Sequence, residues 1–297
     1  MKKIAIATAG MLAAGGVLAN PDWSKASTTR LNLVYPGQAS LEWVMDRAEH
    51  SAVPDILEKK RACAKCHLGD ANEVGEKIVK GQPVGNKKAP IEPKPISGKA
   101  GFIPVQLQAV HDGNKIWFRL EWDSPKGGVS KMDAKNAVKA TILFDGGSTV
   151  GGAELNGCWA SCHDDMREMR TAKDDKKTKY IKDANLAGGA FYDLIQFRSG
   201  EKAADGHIVD KRVMEGGKSL IKAEGKKEGD KWVVTFEREL AGKAPGDHSI
   251  APGKMYNFGV AIHEGHTAGR YHYVSFGYQF ALDEKGKERY QISVPKQ

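Results

Sequence analysis

From Lys115 to Trp122 the side chains alternate, with Ile116, Phe118, Leu120 and Trp122 on one face of an extended chain. A period of two over this length predicts a β-strand that rests one face on a core. Asp112-Gly113-Asn114 just before it has tight-turn chemistry, so Val105 to Val110 is expected to pair with it as a hairpin. Further strands are expected at Ala137 to Phe144, Lys231 to Phe236, Met255 to Ile262 and Tyr271 to Leu282, mostly separated by Gly- and Lys-rich turns. The pattern predicts a mainly β fold, an antiparallel β-sandwich over residues 100–297.

The pattern is different ahead of residue 100. Residues 41–67 read as helical: Leu41-Glu42-Trp43-Val44-Met45 opens an apolar-periodic stretch, and Pro54 at a helix start leads Ile56 and Leu57 toward Cys63. Residues 20–81 are therefore expected to form a small helical segment. Residues 82–99, with Pro83, Pro90, Pro93 and Pro95 among lysines and glycines, suit an extended linker or a chain laid over a surface. Residues 1–19 have a basic start, a short apolar core and small residues before Asn20, the form of a cleaved secretory signal peptide. That core is shorter than the roughly 20 residues needed to span a bilayer, so an exported chain without stable membrane insertion is expected, placed in the periplasm.

Lysine and arginine outnumber aspartate and glutamate by 45 to 37 in the 297 residues. The excess favours acidic partners weakly, and without an aromatic-interleaved basic motif it makes no case for nucleic acid. The four cysteines carry more information. They fall as Cys63-Ala64-Lys65-Cys66-His67 and Cys158-Trp159-Ala160-Ser161-Cys162-His163, each pair followed at once by a histidine. The first is the signature of c-type haem attachment, in which two thiols reach the two vinyl groups of one macrocycle edge while the adjacent imidazole binds iron. The second has one more intervening residue, a rarer spacing of the same chemistry. A zinc site or a redox-active pair is the alternative for the first, and a local disulfide for the second. Two covalent haem c groups, held by Cys63, Cys66, Cys158 and Cys162 with His67 and His163 on the irons, use every thiol.

Each iron then has one axial position for a second ligand or a substrate. His50 lies thirteen residues before Cys63 with Pro54 between, so the chain can turn and bring it over the first haem. For the second haem the segment His263-Glu264-Gly265-His266-Thr267-Ala268-Gly269-Arg270-Tyr271-His272 is rich in candidates; His272, opening a strand, is preferred and His263 is the runner-up. Met166 and Met169 follow His163 too closely to reach the opposite haem face. His207, His248 and His266 are further candidates, while His111 reads as a turn histidine. Arg270, Lys211 and Arg212 are candidates for haem propionates.

The segments Val110-His111-Asp112-Gly113, Trp117 to Trp122, Trp232 to Arg238, Gly253-Lys254-Met255-Tyr256 and Gly269 to Ser275 resemble the haem-binding domain of the ethylbenzene dehydrogenase and dimethyl sulfoxide reductase gamma-subunit superfamily, over roughly residues 100–285. The resemblance implies a β-sandwich that, in those subunits, holds one non-covalent haem b between a methionine and a lysine and exchanges electrons with a molybdenum enzyme. This chain departs from the pattern. The stretch from Cys158 to His163 aligns where the methionine would be and His272 near the lysine, which implies a covalent haem with two histidines. Related c-type cytochromes with an N-terminal haem segment also have a histidine before the first motif, matching His50. The expected function is an electron carrier between redox proteins: a quinol-oxidising cytochrome, other cytochromes or a periplasmic reductase or dehydrogenase. The alternative is a dihaem enzyme with one open iron acting on a small inorganic or sulfur substrate.

Overall fold

The computed structural model describes residues 21–38, 44–48, 50–86, 89–147, 150, 153, 157, 181, 184–214, 221–269 and 271–297. The alternating segments form strands, and almost all join one hydrogen-bonded sheet. Strand β1 (Thr29–Val34) precedes three short helices, α1 (Val53–Lys59), α2 (Cys63–His67) and α3 (Ala71–Val79). A two-residue ladder, β2 (Pro83–Val84) with β3 (Ala89–Pro90), follows in the proline-rich stretch. The remaining strands are β4 (Phe102–His111), β5 (Lys115–Asp123), β6 (Val138–Asp145), β7 (Tyr192–Arg198), β8 (Ala204–Ile208), β9 (Arg212–Met214), β10 (Ile221–Glu228), β11 (Lys231–Glu239), β12 (Tyr256–Glu264), β13 (Tyr273–Ser275), β14 (Tyr278–Leu282) and β15 (Gln291–Val294).

The strand order is β10-β11-β5-β4-β1-β13-β12-β6-β7-β8-β9, with β14 and β15 branching from β12. The sheet is open and curls until its two ends face each other. Gly225 of β10 lies so close to the Phe197 ring of β7 that an added Cβ would come within 2.4 Å of it. Between the facing halves Phe118 of β5 meets Phe280 of β14 edge-on at 5.7 Å, and Phe280 also touches Phe144 and Phe258. Each such ring, removed from water, stabilises the fold by roughly 1.5–3 kcal/mol. The two layers of the expected sandwich are thus halves of one continuous sheet.

Three expectations need correction. The helical reading of 41–67 gives α1 and α2 separated by a turn, because Lys60 adopts a left-handed φ of 45° and Arg61 N–H closes back on the Ile56 carbonyl. The single strand expected from Tyr271 to Leu282 is two, β13 and β14, interrupted at Phe276-Gly277. The ladder is antiparallel except for β14 with β15, which run parallel.

The region before β4 is fastened to the sheet rather than laid loosely over it. Strand β1 lies between β4 and β13, with Leu31 and Leu33 in the core. In α3, Gly75 approaches Gly101 so closely that a Cβ would stand 2.1 Å from the Gly101 oxygen, a contact that requires glycine, and Gly101 N–H donates to Glu76. In the proline-rich stretch Glu92 is fully buried and accepts the Tyr35 hydroxyl at 2.5 Å.

Candidate functional site

Helix α2 is one turn and a little more, too short to persist by itself. Packing holds it. Ala64 and Ala71, both small enough for close approach, bury against Val34 of β1 and Phe276, with Cys63, Leu68, Phe102 and Tyr290 at the margin. Asn32 of β1 donates its side-chain N–H to the Leu68 carbonyl at 2.8 Å, which pins the residue that follows His67. Cys63 and Cys66 carry thiols rather than a disulfide, and burial pushes the Cys63 thiol up to about 12. Two thiols and a histidine are therefore presented from one rigid turn.

The His67 Nδ1 lies 3.0 and 3.2 Å from the two oxygens of Asp70. With a carboxylate as acceptor, Nδ1 carries the proton and Nε2 is left as the ligating nitrogen, the usual arrangement behind a metal-bound histidine. His50 faces it. The chain turns where expected, His50 N–H bonding to the Asp46 carbonyl and Val53 N–H to the His50 carbonyl, and the two imidazole centres stand 6.1 Å apart with planes 38° from parallel. Burial first, then the nearby His67 ring, hold His50 below the ordinary imidazole value, partly opposed by a backbone hydrogen bond at Val44. The neutral form is the one that ligates. An imidazole nitrogen binds a metal at roughly 2 Å and the ring centre lies about 1 Å further back, so two imidazoles sharing one iron have centres roughly 6 Å apart. His50 and His67 fit that spacing.

Cys158, Cys162, His163, Met166, Met169 and Arg270 lie outside the described residues. The histidines expected to serve the second haem with them are described. His263 of β12 and His272 just before β13 are both buried, with ring centres 4.6 Å apart and planes 21° from parallel. That separation is too short for an iron between them, so at most one can face a metal while the other packs beside it. Both share the sheet face of Ala261 and Val274, which cluster with Leu143, Leu194 and Tyr192 away from the main core. Gly157 packs on the backbone of Phe276-Gly277, and its carbonyl accepts the Tyr192 hydroxyl at 3.1 Å.

The other histidines are accounted for elsewhere. His111 Nε2 meets Asp283 at 3.1 Å, and its Nδ1 accepts Gly113 N–H at the hairpin turn, as expected. His248 stacks on Phe191 at 3.9 Å, His207 meets the same ring edge-on, and His266 is tied to Ser130. Arg212 is exposed in β9 beside Lys211, while Met214 at the end of that strand reaches the Leu143 and Leu194 cluster. Asp70 and Phe276 were not singled out by the sequence. Asp70 stands three residues after His67, a helical spacing that could have marked it; Phe276 gave no signal.

A family model described as ethylbenzene dehydrogenase matches residues 20–219. The chain belongs to the ethylbenzene dehydrogenase family. The match takes in both cysteine motifs and ends before His263. Among curated proteins the chain is 46% identical to "Cytochrome c-552" of Stutzerimonas stutzeri over 285 residues, 95% of this chain and 93% of that protein. It is 34% identical to "Cytochrome c-551" of Rhodocyclus tenuis over 265 residues, 88% of this chain and 95% of that one. Among solved structures a family 9 carbohydrate-binding module from Caldicellulosiruptor kristjanssonii aligns at TM-score 0.32 with 10% identity, over 65% of this chain and 75% of that one, too loosely to bear on function. Among the described residues no group of three or more His, Cys, Asp and Glu side chains is arranged to hold a bare metal ion. Among them also, no helix is long and apolar enough to cross a membrane.

Proposed function

We propose that this chain is a periplasmic dihaem cytochrome c that carries electrons between respiratory redox proteins. The observation that carries the reading is the pair His50 and His67, whose ring centres stand 6.1 Å apart, a spacing suited to one iron, with His67 directly after Cys66 in the helix that begins at Cys63. Relatives with cytochrome c names, aligned over nearly the whole chain, support it. Cys63 and Cys66 would bind the first haem through thioethers, and Cys158 and Cys162 the second, with His163 and His272 as its axial ligands and His263 as the runner-up for His272. When bound, haem supplies a one-electron couple.

The chain's own residues set how that couple behaves. His50 would take up the iron position that a substrate would need at the first site, which favours a carrier over an enzyme. Asp70 fixes the His67 tautomer and makes the ring a stronger donor. Val34, Ala64, Ala71 and Phe276 exclude water from one side. Export through cleavage after Ala19 would deliver the chain to the compartment in which such cytochromes meet their partners.

Intact mass of the purified native protein, with a pyridine haemochrome spectrum, tests the reading. The expected result is a polypeptide beginning near Asn20 that carries two covalent haems, both low-spin. A mass equal to the amino acids alone, with no porphyrin absorption, refutes it. A high-spin iron that binds added nitrite, peroxide or thiosulfate and turns it over would replace the carrier with the enzyme alternative.

A further inference from the structure

A cavity of about 390 Å³ lies at the strand ends where β5 and β12 finish and β6 and β11 begin. Its walls include Lys99, Ser124, Trp232, Glu264, His266 and Tyr273. Tyr273 belongs to the main core, while Val274 beside it belongs to the outer group with Ala261, so the cavity lies on the opposite side of β13 from His272. The walls are held in place by bonds of their own. Ser130 N–H donates to the Gly265 carbonyl at 3.1 Å, Ala268 N–H to the Lys131 carbonyl at 2.8 Å and Asp133 N–H to the Thr267 hydroxyl at 2.7 Å. A Cβ on Gly127 would collide with the Gly98 carbonyl oxygen, so the same loop sits directly on the segment that bears Lys99. Trp232 stacks on Trp122 with ring centres 6.2 Å apart. At the rim Val129, 71% exposed, and Met132, 37% exposed, hold apolar surface in water, a mark of a binding surface.

Lys99 is a buried cation in this wall. Its ammonium donates one of three N–H groups to the Tyr271 carbonyl at 3.1 Å and rests on the faces of Tyr273 and Tyr35. Burial alone lowers it, to about 7, with no carboxylate among the described residues close enough to oppose the shift. Glu264 does not act as its counter-ion, because its two oxygens are taken up by the Trp122 and Trp232 indole N–H groups at 2.7 and 3.1 Å and by the Ser124 hydroxyl at 2.6 Å. The His266 Nδ1 stands 3.0 Å from the Ser130 carbonyl, and burial first, then the Lys99 charge, hold that ring below its ordinary value. Lys126 and Lys227, both exposed, line the same cavity and add to its positive character.

We propose that this cavity binds a small organic monoanion, a carboxylate paired with Lys99 and carried on a compact apolar body that packs against Trp232 and Tyr273. Buried charges are stable when paired, and a carboxylate entering the cavity supplies the partner that the fold withholds from Lys99, in a medium where the attraction is strong. The size fits. A cavity of about 150 Å³ takes a benzene ring, so 390 Å³ holds one ring, its carboxylate and a short chain. The limit to one negative charge comes from Glu264, which lines the same cavity and repels a second. Ligand binding here is a function beyond electron carriage and calls on none of the residues assigned to haem.

The test is calorimetric titration of the purified native protein with benzoate, with benzamide, which keeps the ring without the charge, and with inorganic phosphate, which keeps charge without the ring. Benzoate is expected to bind at pH 6 with a Kd of about 1 mM or tighter, and benzamide at least about tenfold more weakly. Above about pH 7 benzoate affinity should fall about tenfold for each pH unit as Lys99 gives up its proton. His266 and Tyr273, shifted by burial down and up respectively, keep one form over that range. Lys99→Met should weaken benzoate at least about tenfold, and Met132→Glu, which sets a carboxylate at the exposed rim and leaves the buried wall intact, about threefold or more. The haem absorption should not move. A Soret shift that follows the titration places the anion on iron and overturns the proposal. Undiminished binding in both variants, benzamide or phosphate as tight as benzoate, equal affinity at pH 6 and 9, or no benzoate binding below about 10 mM would each overturn it as well. None of these outcomes depends on the number of haems, so the dihaem reading stands or falls separately.

Discussion

Replacing Lys99 with methionine should stabilise the folded protein at pH 6 and destabilise it near pH 10. Lys99 is 6% exposed; its ammonium donates to the Tyr271 carbonyl at 3.1 Å and stands 3.9 Å from the centre of the Tyr273 ring and 4.9 Å from that of Tyr35. Burial brings it from its ordinary 10.5 down to about 7. At about 1.4 kcal/mol for each factor of ten, that gap corresponds to roughly 5 kcal/mol between charged and neutral lysine in the folded chain. The tyrosine faces attract the cation and offset roughly 1–2 kcal/mol of this cost. Below pH 7 folded and unfolded chains both hold the proton, so the remaining cost is fully present. Between 7 and 10.5 the unfolded chain binds a proton that the folded chain has released, so stability rises with pH; above 10.5 the cost is gone. Lys99→Met removes the charge and also leaves the Tyr271 carbonyl without its donor, a loss of roughly 1–3 kcal/mol. The balance favours the variant by roughly 1–2 kcal/mol at pH 6 and the wild type by a similar amount near pH 10. Urea midpoints of the two loaded proteins at both pH values, compared at equal slope, measure the difference. An equal loss at both pH values would refute the reasoning, because a pH-independent deficit means that Lys99 acts by packing alone.

The remaining predictions concern the axial ligands and the core. His50→Ala should convert one haem of two from low-spin to high-spin, with added imidazole restoring the low-spin optical spectrum; an unaltered spectrum means that the first iron takes its ligand from elsewhere. His272→Ala should do the same to the other haem, and His263→Ala should leave both low-spin. The reverse outcome assigns the second iron to His263. Arg238, buried with its guanidinium 2.5 Å from Asp193, leaves an uncompensated charge if removed. Arg238→Met should cost roughly 3–5 kcal/mol in denaturant unfolding, and adding Asp193→Leu should recover much of it, whereas a loss that merely adds would argue against a coupled pair.

The strands that could be read from the sequence are those with a clear period of two and turn chemistry at their ends. β4 and β5 lie where the hairpin signal put them, extended by a few residues that pair although their own pattern is weak. Strands β1, β7 and β8 were not read. In β7 and β8 nearly every position is buried, because one face lies on the core and the other packs against Val150, Ala153 and Ile181, so no alternation remains. β10 fails for the opposite reason: Lys222, Glu224, Lys226 and Lys227 make it polar almost throughout, as suits an exposed edge that must not pair with another chain.

The haem chemistry was legible because it is local. Two thiols and a histidine within five residues are the signature of c-type haem attachment, which can be read before any fold exists. His50 lay close enough in sequence for a turn just before Pro54 to bring it near His67, and the two ring centres stand 6.1 Å apart. His263 and His272 could not be ranked by the same means, because their relation is set by pairing between strands. With Ile262 opposite Tyr273 in the ladder, the next step along both chains brings the two imidazoles together on one face. A sequence lists both as candidates; the register stacks them at 4.6 Å, a spacing that no pattern along the chain records. The packing of Phe276 is further out of reach, since its neighbours come from α2, from β1 and from Gly157, and no spacing within the chain records that they converge.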